Sequence, residues 1–274
     1  MYHPIPTQPD CVSAWREAVR VVDNCSDHSA YNVIVDVEDP TAASSLDNPR
    51  VAVVNGFLEE RERSVEAVAN TIFPWGLYAR HGAPEFFDIF RERVLKKVRR
   101  NERWSGYYFE RMTNVPNPGG SVTNQIWEIV ERIRDSKTKA LNKFEVTIFD
   151  PARDVDDSPY GGQCLSYGSF KLISGATKTL TLTAVYRNHY YVEKLLGNLI
   201  GLGRLMKFIG QEANVRVGPL TVVSTHAVID QPAQSKRSDI LKMLEKFDQL
   251  AMADDASKKP PSSNCAGSTL FSMP

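Results

Sequence analysis

The sequence predicts an α/β fold with a single large core, and three observations predict it. Short runs alternate β-branched and polar residues, as in YNVIVDV (31–37), FEVTIF (144–149) and TVVSTH (221–226). Longer stretches between them carry apolar residues at helical spacing. The last third reads strand, strand, long helix, strand, helix, an alternation that packs helices against a sheet. The 274 residues suffice for one substantial core. No internal repeat or linker-like boundary divides them, so residues 1–252 are expected to form one domain.

From the N-terminus, Asp10 to Val22 reads as a helix with Trp15, Ala18 and Val22 on one face. Residues 31–37 and the short run RVAVV (50–54) read as strands. Leu58 to Ile72 reads as a helix stopped by Pro74. Glu85 to Val98 has a broad apolar face of Phe86, Phe87, Ile89, Phe90 and Val94. The basic run that follows it, Lys96 to Arg103, suits a solvated helix end. Pro116 to Gly120 (PNPGG) is a loop, and Ser121 is placed to cap a helix reaching Arg134.

Residues 144–149 are a strand, and the Asp-, Pro- and Gly-rich stretch 150–162 a loop. Strands are expected at 163–172 and 178–186, joined at Ser174-Gly175 as an antiparallel hairpin. A long helix (190–213), a strand (217–225) and a helix (236–251) complete the order. In the long helix Gly197, Gly201 and Gly203 cost propensity, which points to close backbone packing. The stretch 253–274 is poor in apolar residues and reads as a flexible tail.

Composition narrows the function. The 33 basic residues balance 33 acidic ones, which argues against a general nucleic-acid coat. The start of the chain has no charged leader followed by an apolar core. The most apolar run, 195–209, is interrupted by Asn198, Arg204 and Lys207, so no membrane span is expected. Four scattered cysteines without a CxxC pair give neither a disulfide framework nor a zinc site, and a reducing cytoplasm is the expected setting.

Four residue types then stand out between 162 and 226. Cys164 follows a GG pair and opens a strand; its ordinary role is that of a small buried hydrophobe, but a nearby arginine would make it a nucleophile. Arg187 closes the next strand at the start of a helical stretch, where it suits either a surface ion pair or a phosphate, with Asn188 beside it. Asn198 is an amide inside an apolar helix, so it pairs either with neighbouring backbone or with a ligand edge. His226 ends a strand, where histidine is ordinarily structural; the other histidines show no ligand spacing with it, and no metal is expected.

In this order these residues resemble the thymidylate synthase and pyrimidine-nucleotide hydroxymethylase family, most clearly over 142–230. The Cys164 segment looks like the family's catalytic Pro-Cys segment, with Gln163 in the proline's place. YRNHYYVEKLLGN is similar to its Gln-Arg-Ser run and helical asparagine, with Arg187 and Asn198 eleven positions apart. VGPLTVVSTHAVID looks like the strand carrying its nucleotide-binding histidine.

The resemblance implies a mostly antiparallel twisted sheet packed with helices and a sheet-to-sheet homodimer. It implies transfer of a one-carbon unit from 5,10-methylenetetrahydrofolate to C5 of a pyrimidine nucleoside monophosphate, through a covalent bond from Cys164 to C6. Arg187 would hold the phosphate, Asn198 the base and His226 the sugar. The family's catalytic glutamate aligns near Asn70, with Glu66 one turn earlier as a substitute. Tyr190 stands in place of the aspartate that contacts the pterin. Lys143, beside Asn142, stands where arginines reach the phosphate from the partner subunit, and Arg61 or Arg63 would replace a missing N-terminal arginine loop. The alternative is a non-catalytic nucleotide-binding or scaffolding descendant.

Overall fold

The computed structural model describes residues 2–98, 107–155 and 163–258. The elements run β1 (His3–Pro4), α1 (Cys11–Asp23), β2 (Ser29–Val37), α2 (Pro49–Glu59), α3 (Val65–Ile72), α4 (Trp75–His81), α5 (Glu85–Ile89) and α6 (Leu95–Val98). Then come α7 (Tyr108–Thr113), the hairpin β3 (Val115–Pro116) and β4 (Val122–Thr123), α8 (Gln125–Arg134), β5 (Phe144–Thr147) and α9 (Pro151–Asp154). The remainder is β6 (Leu165–Ile173), β7 (Thr179–Tyr186), β8 (His189–Tyr190), α10 (Leu195–Ala213), β9 (Arg216–Val228) and α11 (Arg237–Lys258).

One sheet of order β1-β2-β9-β7-β6-β5, with β8 also on β9, organises the molecule. The pairs β2–β9, β6–β7 and β5–β6 are antiparallel. The central pair β7–β9 is parallel, so the sheet is mixed, and α10 lies in the connection between these two strands. One face is dry: Val33, Val35, Leu180, Leu182, Ala184, Leu220 and Val222 are buried beneath the helices. The residues that alternate with them, such as Thr183, Val185, Val223 and Thr225, are exposed or half-buried, and Tyr31 is 64% exposed.

The helices carry the core. Trp15 of α1 is fully buried and donates its Nε1–H to the Tyr191 carbonyl at 2.8 Å. A nest of Phe73, Tyr78, Phe86, Phe109 and Phe208 fills the space between α4, α5, α7 and α10. The helical glycines meet α3 and the loop after β2. A Cβ on Gly197 would lie 2.6 Å from Val68 Cβ, one on Gly201 2.8 Å from the Ala69 carbonyl, and one on Gly203 2.1 Å from the Pro40 carbonyl.

Several elements differ from the sequence reading. The run 50–54 is helical, not a strand. Asn48 caps it by accepting from the Arg50 amide, Pro49 starts it, and Val51, Val54, Phe57 and Leu58 bury at helical spacing. The helix expected over 58–72 is broken: α2 stops at Glu59, Glu62 takes a positive φ, and Ser64 caps α3. The cap of α8 is Asn124, not Ser121, which lies in the β3–β4 loop. Helix α10 starts at Leu195 rather than 190, because His189 and Tyr190 pair with β9. The Asp230 carboxylate then takes the Val192 amide at 2.8 Å. Helix α11 runs on to Lys258. Part of the basic run (99–103), part of the loop before Cys164 (156–162) and the tail from 259 lie outside the described residues. Among the described residues no helix is long and apolar enough to cross a membrane.

Candidate functional site

The site is built where β6 begins and β7 and β9 end. Leu165 pairs with Tyr186, and Tyr186 with Ser224, so register alone brings Cys164, Arg187 and the Thr225–His226 pair to one edge. The Arg187 amide donates to the Cys164 carbonyl at 2.9 Å, and its Nε–H to the Gln163 carbonyl at 3.0 Å. The Arg187 carbonyl accepts from the Thr225 hydroxyl at 2.9 Å. Arg187 is therefore tied to this edge by its backbone and its Nε–H, and the residue as a whole is exposed.

Cys164 is half-buried at this edge, not sealed in the core. Burial pushes its thiol above the ordinary range, and the positive charges of Arg187 and Lys194 pull it back down. Burial dominates, so at neutral pH the group is mainly thiol. A base or a ligand-induced change is needed before it acts as a nucleophile.

Two tyrosines complete the wall. Burial raises the Tyr108 hydroxyl, negative charge on Cys164 adds to the rise, and the Leu165 and Cys164 amides and Arg187 oppose it. Tyr186 meets Tyr108 edge-on, with centroids 6.4 Å apart. Its hydroxyl is buried with no hydrogen-bond partner among the described residues.

Behind them lies a buried polar chain. The Tyr191 hydroxyl donates to Ser224 Oγ at 3.2 Å; Ser224 Oγ is 2.9 Å from His189 Nδ1; His189 Nε2 is 2.9 Å from Asn198 Nδ2. The His189 ring stacks on Tyr186, with centroids 4.0 Å apart. Burial drives the His189 imidazole down to about 3, so it is neutral. Asn198 is 3% exposed, and its Oδ1 has no partner among the described residues. On the outer side, His226 Nδ1 is 2.7 Å from Asn188 Oδ1, and its ring lies 5.0 Å from that of Tyr31.

Cys164, Arg187, Asn188, Asn198 and His226 thus belong to one end of the sheet, joined through Tyr186, His189 and Thr225. The other candidates stand apart. Both oxygens of Glu66 are engaged by Arg204, at 2.7 and 2.9 Å. Asn70 is half-buried on the same helix, α3. Tyr190 is half-buried on β8 beside Val228. Lys143 is exposed just before β5, the strand at the far edge of the sheet. Arg61 covers the Phe57 ring, whereas Arg63 is 3.3 Å from Glu193, the neighbour of Lys194.

Tyr108, Tyr186, His189, Lys194 and Ser224 were not legible as site residues. Tyr108 lies far away in the chain, and the others read as ordinary strand and helix positions. His189 does stand in the tyrosine-flanked run YRNHYY (186–191) without a ligand pattern, and only its stacking and pairing reveal it. Among the described residues no group of His, Cys, Asp and Glu is placed to hold a metal ion. No family model matches this sequence, and no curated protein matches it either.

Proposed function

We propose that this chain binds a pyrimidine nucleoside monophosphate and that Cys164 adds to C6 of its ring, activating C5 to accept a one-carbon unit. One observation carries the reading. A buried amide oxygen with no partner among the described residues, Asn198 Oδ1, belongs to the same sheet end as a half-buried thiol and an exposed arginine. Leaving a polar atom buried without a partner costs about 1–3 kcal/mol. A ligand that supplies an N–H donor removes that cost. A phosphate on Arg187, a base on Asn198 and a sugar beside His226 span the roles a mononucleotide requires.

In the proposed step the Cys164 sulfur bonds to C6, and the C5–C6 electron pair moves onto the C4 substituent, leaving C5 nucleophilic. Loss of the C5 proton after the new carbon bond forms restores the ring and releases the sulfur. The one-carbon unit is assigned to 5,10-methylenetetrahydrofolate by the resemblance alone. Tyr190, the residue placed for it, offers a phenol where a carboxylate is usual, so no further step is built on the folate. The thymidylate synthase-like form of the fold, a homodimer and a cytoplasmic setting belong to the same proposal. The open sheet face around Tyr31, Thr183, Val185 and Val223 supports the dimer.

A second reading, a binding protein that has lost catalysis, is favoured by the raised thiol and by the engagement of Glu66 with Arg204. Nucleotides tritiated at C5 separate the two. Release of tritium to water from UMP, dUMP, CMP or dCMP, abolished in Cys164→Ala, is the expected result. Binding of a nucleotide without release, with or without methylenetetrahydrofolate, establishes the second reading instead.

A further inference from the structure

The three strands that meet at the Cys164 edge also meet at their other end. Register sets Ile173, the last residue of β6, beside Thr179, the first of β7, and Thr179 beside Arg216, the first of β9. Residues 174–178 close the β6–β7 hairpin. Asn214, left-handed at φ 53° and ψ 50°, turns the chain from α10 into β9. Between these two turns lies a cavity of about 640 Å³. Strand β7 is 8 residues long, so the cavity is about 25 Å from the Cys164 edge and separate from it. Among the described residues that line it, the Arg216 guanidinium is the one charged group, and there is no carboxylate and no aromatic ring. Arg216 Nε–H donates to Thr179 Oγ1 at 3.1 Å, and the Arg216 amide to the Lys178 carbonyl at 2.9 Å. The guanidinium is thereby pinned, with both of its amino groups unpaired among the described residues. Glu212, two residues before Asn214, is already engaged by the Tyr78 hydroxyl at 2.6 Å and by Arg134 at 2.8 Å.

We propose that this cavity is a second binding site and that its ligand is a sugar phosphate. Two parallel N–H groups on a planar, permanently charged fork match two phosphate oxygens. Thr179 is 6% exposed; its oxygen accepts the Arg216 Nε–H and its own proton remains to donate. A Cβ on Gly218 would lie 2.5 Å from Thr179 Cγ2, so glycine there lets β9 close on Thr179 and fixes the floor. The hydroxyls of Ser174 and Thr177 and the Asn214 amide supply uncharged donors and acceptors, which suit sugar hydroxyls. The cavity falls within the range of about 300–1,000 Å³ usual for small-molecule sites and exceeds what a bare phosphate fills. Without an aromatic ring it offers a nucleobase no stacking platform, and without a carboxylate it offers a metal ion no charged ligand. The proposal is independent of the pyrimidine reading, which concerns the opposite end of the strands.

The test is calorimetric titration of the full chain with glucose 6-phosphate, glucose and inorganic phosphate. Glucose 6-phosphate is expected to bind at one site, and glucose and inorganic phosphate each at least tenfold more weakly. Arg216→Gln removes the fork and should weaken glucose 6-phosphate at least tenfold. Ala176→Trp, at an exposed position of the hairpin turn that lines the cavity, leaves every charge in place and fills the space; it should weaken the same ligand as much. Arg187→Gln, at the far end of the strands, should leave this binding unchanged. Circular dichroism confirms that each variant is folded. No saturable binding of glucose 6-phosphate, or binding that folded Arg216→Gln and Ala176→Trp leave unchanged, overturns the proposal. Binding lost in Arg187→Gln instead places the ligand at the Cys164 edge and overturns it too. Inorganic phosphate binding as tightly as glucose 6-phosphate overturns the assignment to a sugar phosphate. None of these results bears on tritium release from pyrimidine nucleotides, so the two proposals fail separately.

Discussion

Substitution of Gly197 by alanine isolates what close helix packing contributes beside the site. Gly197 precedes Asn198 on α10 and faces α3. A Cβ there would lie 2.6 Å from Val68 Cβ, 2.7 Å from Val68 Cγ1 and 2.8 Å from the Val65 carbonyl oxygen. Carbon atoms prefer about 3.5–4.0 Å, so the overlap is severe. Two of the three atoms are a backbone oxygen and a Cβ, which no rotamer change moves, and α3 must shift as a body. Gly56 of α2 is the control, since a Cβ there meets nothing within 4 Å. Replacing glycine by alanine inside a helix gains about 1 kcal/mol at either position. That gain cancels in the comparison, leaving the overpacking cost of about 1–3 kcal/mol. In urea denaturation, with a slope of about 2 kcal/mol per M, the Gly197→Ala midpoint should fall about 0.5–1.5 M below that of Gly56→Ala. Coincident midpoints would refute the idea that glycine is present at 197 for close approach.

Two further outcomes follow from the charges. Arg187→Gln removes a cation that holds the Cys164 thiol down, so its pKa should rise further and the pH profile of alkylation by iodoacetamide should move to higher pH, which rate measurements between pH 7 and 10 will check. Asp230 and His189 should tilt stability in opposite directions below neutrality. Burial raises the Asp230 carboxyl from 3.8 to about 6, so the unfolded chain gives up that proton first; stability should fall as pH rises through this window, by up to about 3 kcal/mol, and Asp230→Asn should abolish the fall. Burial lowers His189 from 6.5 to about 3, so the unfolded chain takes up a proton that the folded chain refuses; stability should fall as pH drops from 6.5 towards 3, and His189→Phe should remove that slope in urea titrations.

Much of the architecture was legible in local patterns. Alternation gave β2, β5, β6, β7 and β9 to within a few residues, and the helical period gave α1, α8, α10 and α11. The glycines of α10 correctly announced a close neighbour, though not that Val65, Val68 and Ala69 of α3 supply it. The run 50–54 misled because β-branched residues fit a strand locally, whereas its cap and its buried stripe with Phe57 and Leu58 belong to a helix. Local propensity is a property of neighbouring residues, and tertiary burial outweighs it.

By itself the sequence determined an α/β chain and the order of a cysteine, an arginine, an amide and a histidine along it. Only the tertiary structure decided that Glu66 is engaged by Arg204, that Tyr108 stands beside Cys164, and that His189 faces the Asn198 amide. The physical reason is that hydrogen-bond partners and desolvation depend on distances across the sheet. Residues 164, 186 and 224 become neighbours through strand register, and no local pattern of residues encodes which side chains meet a buried imidazole there.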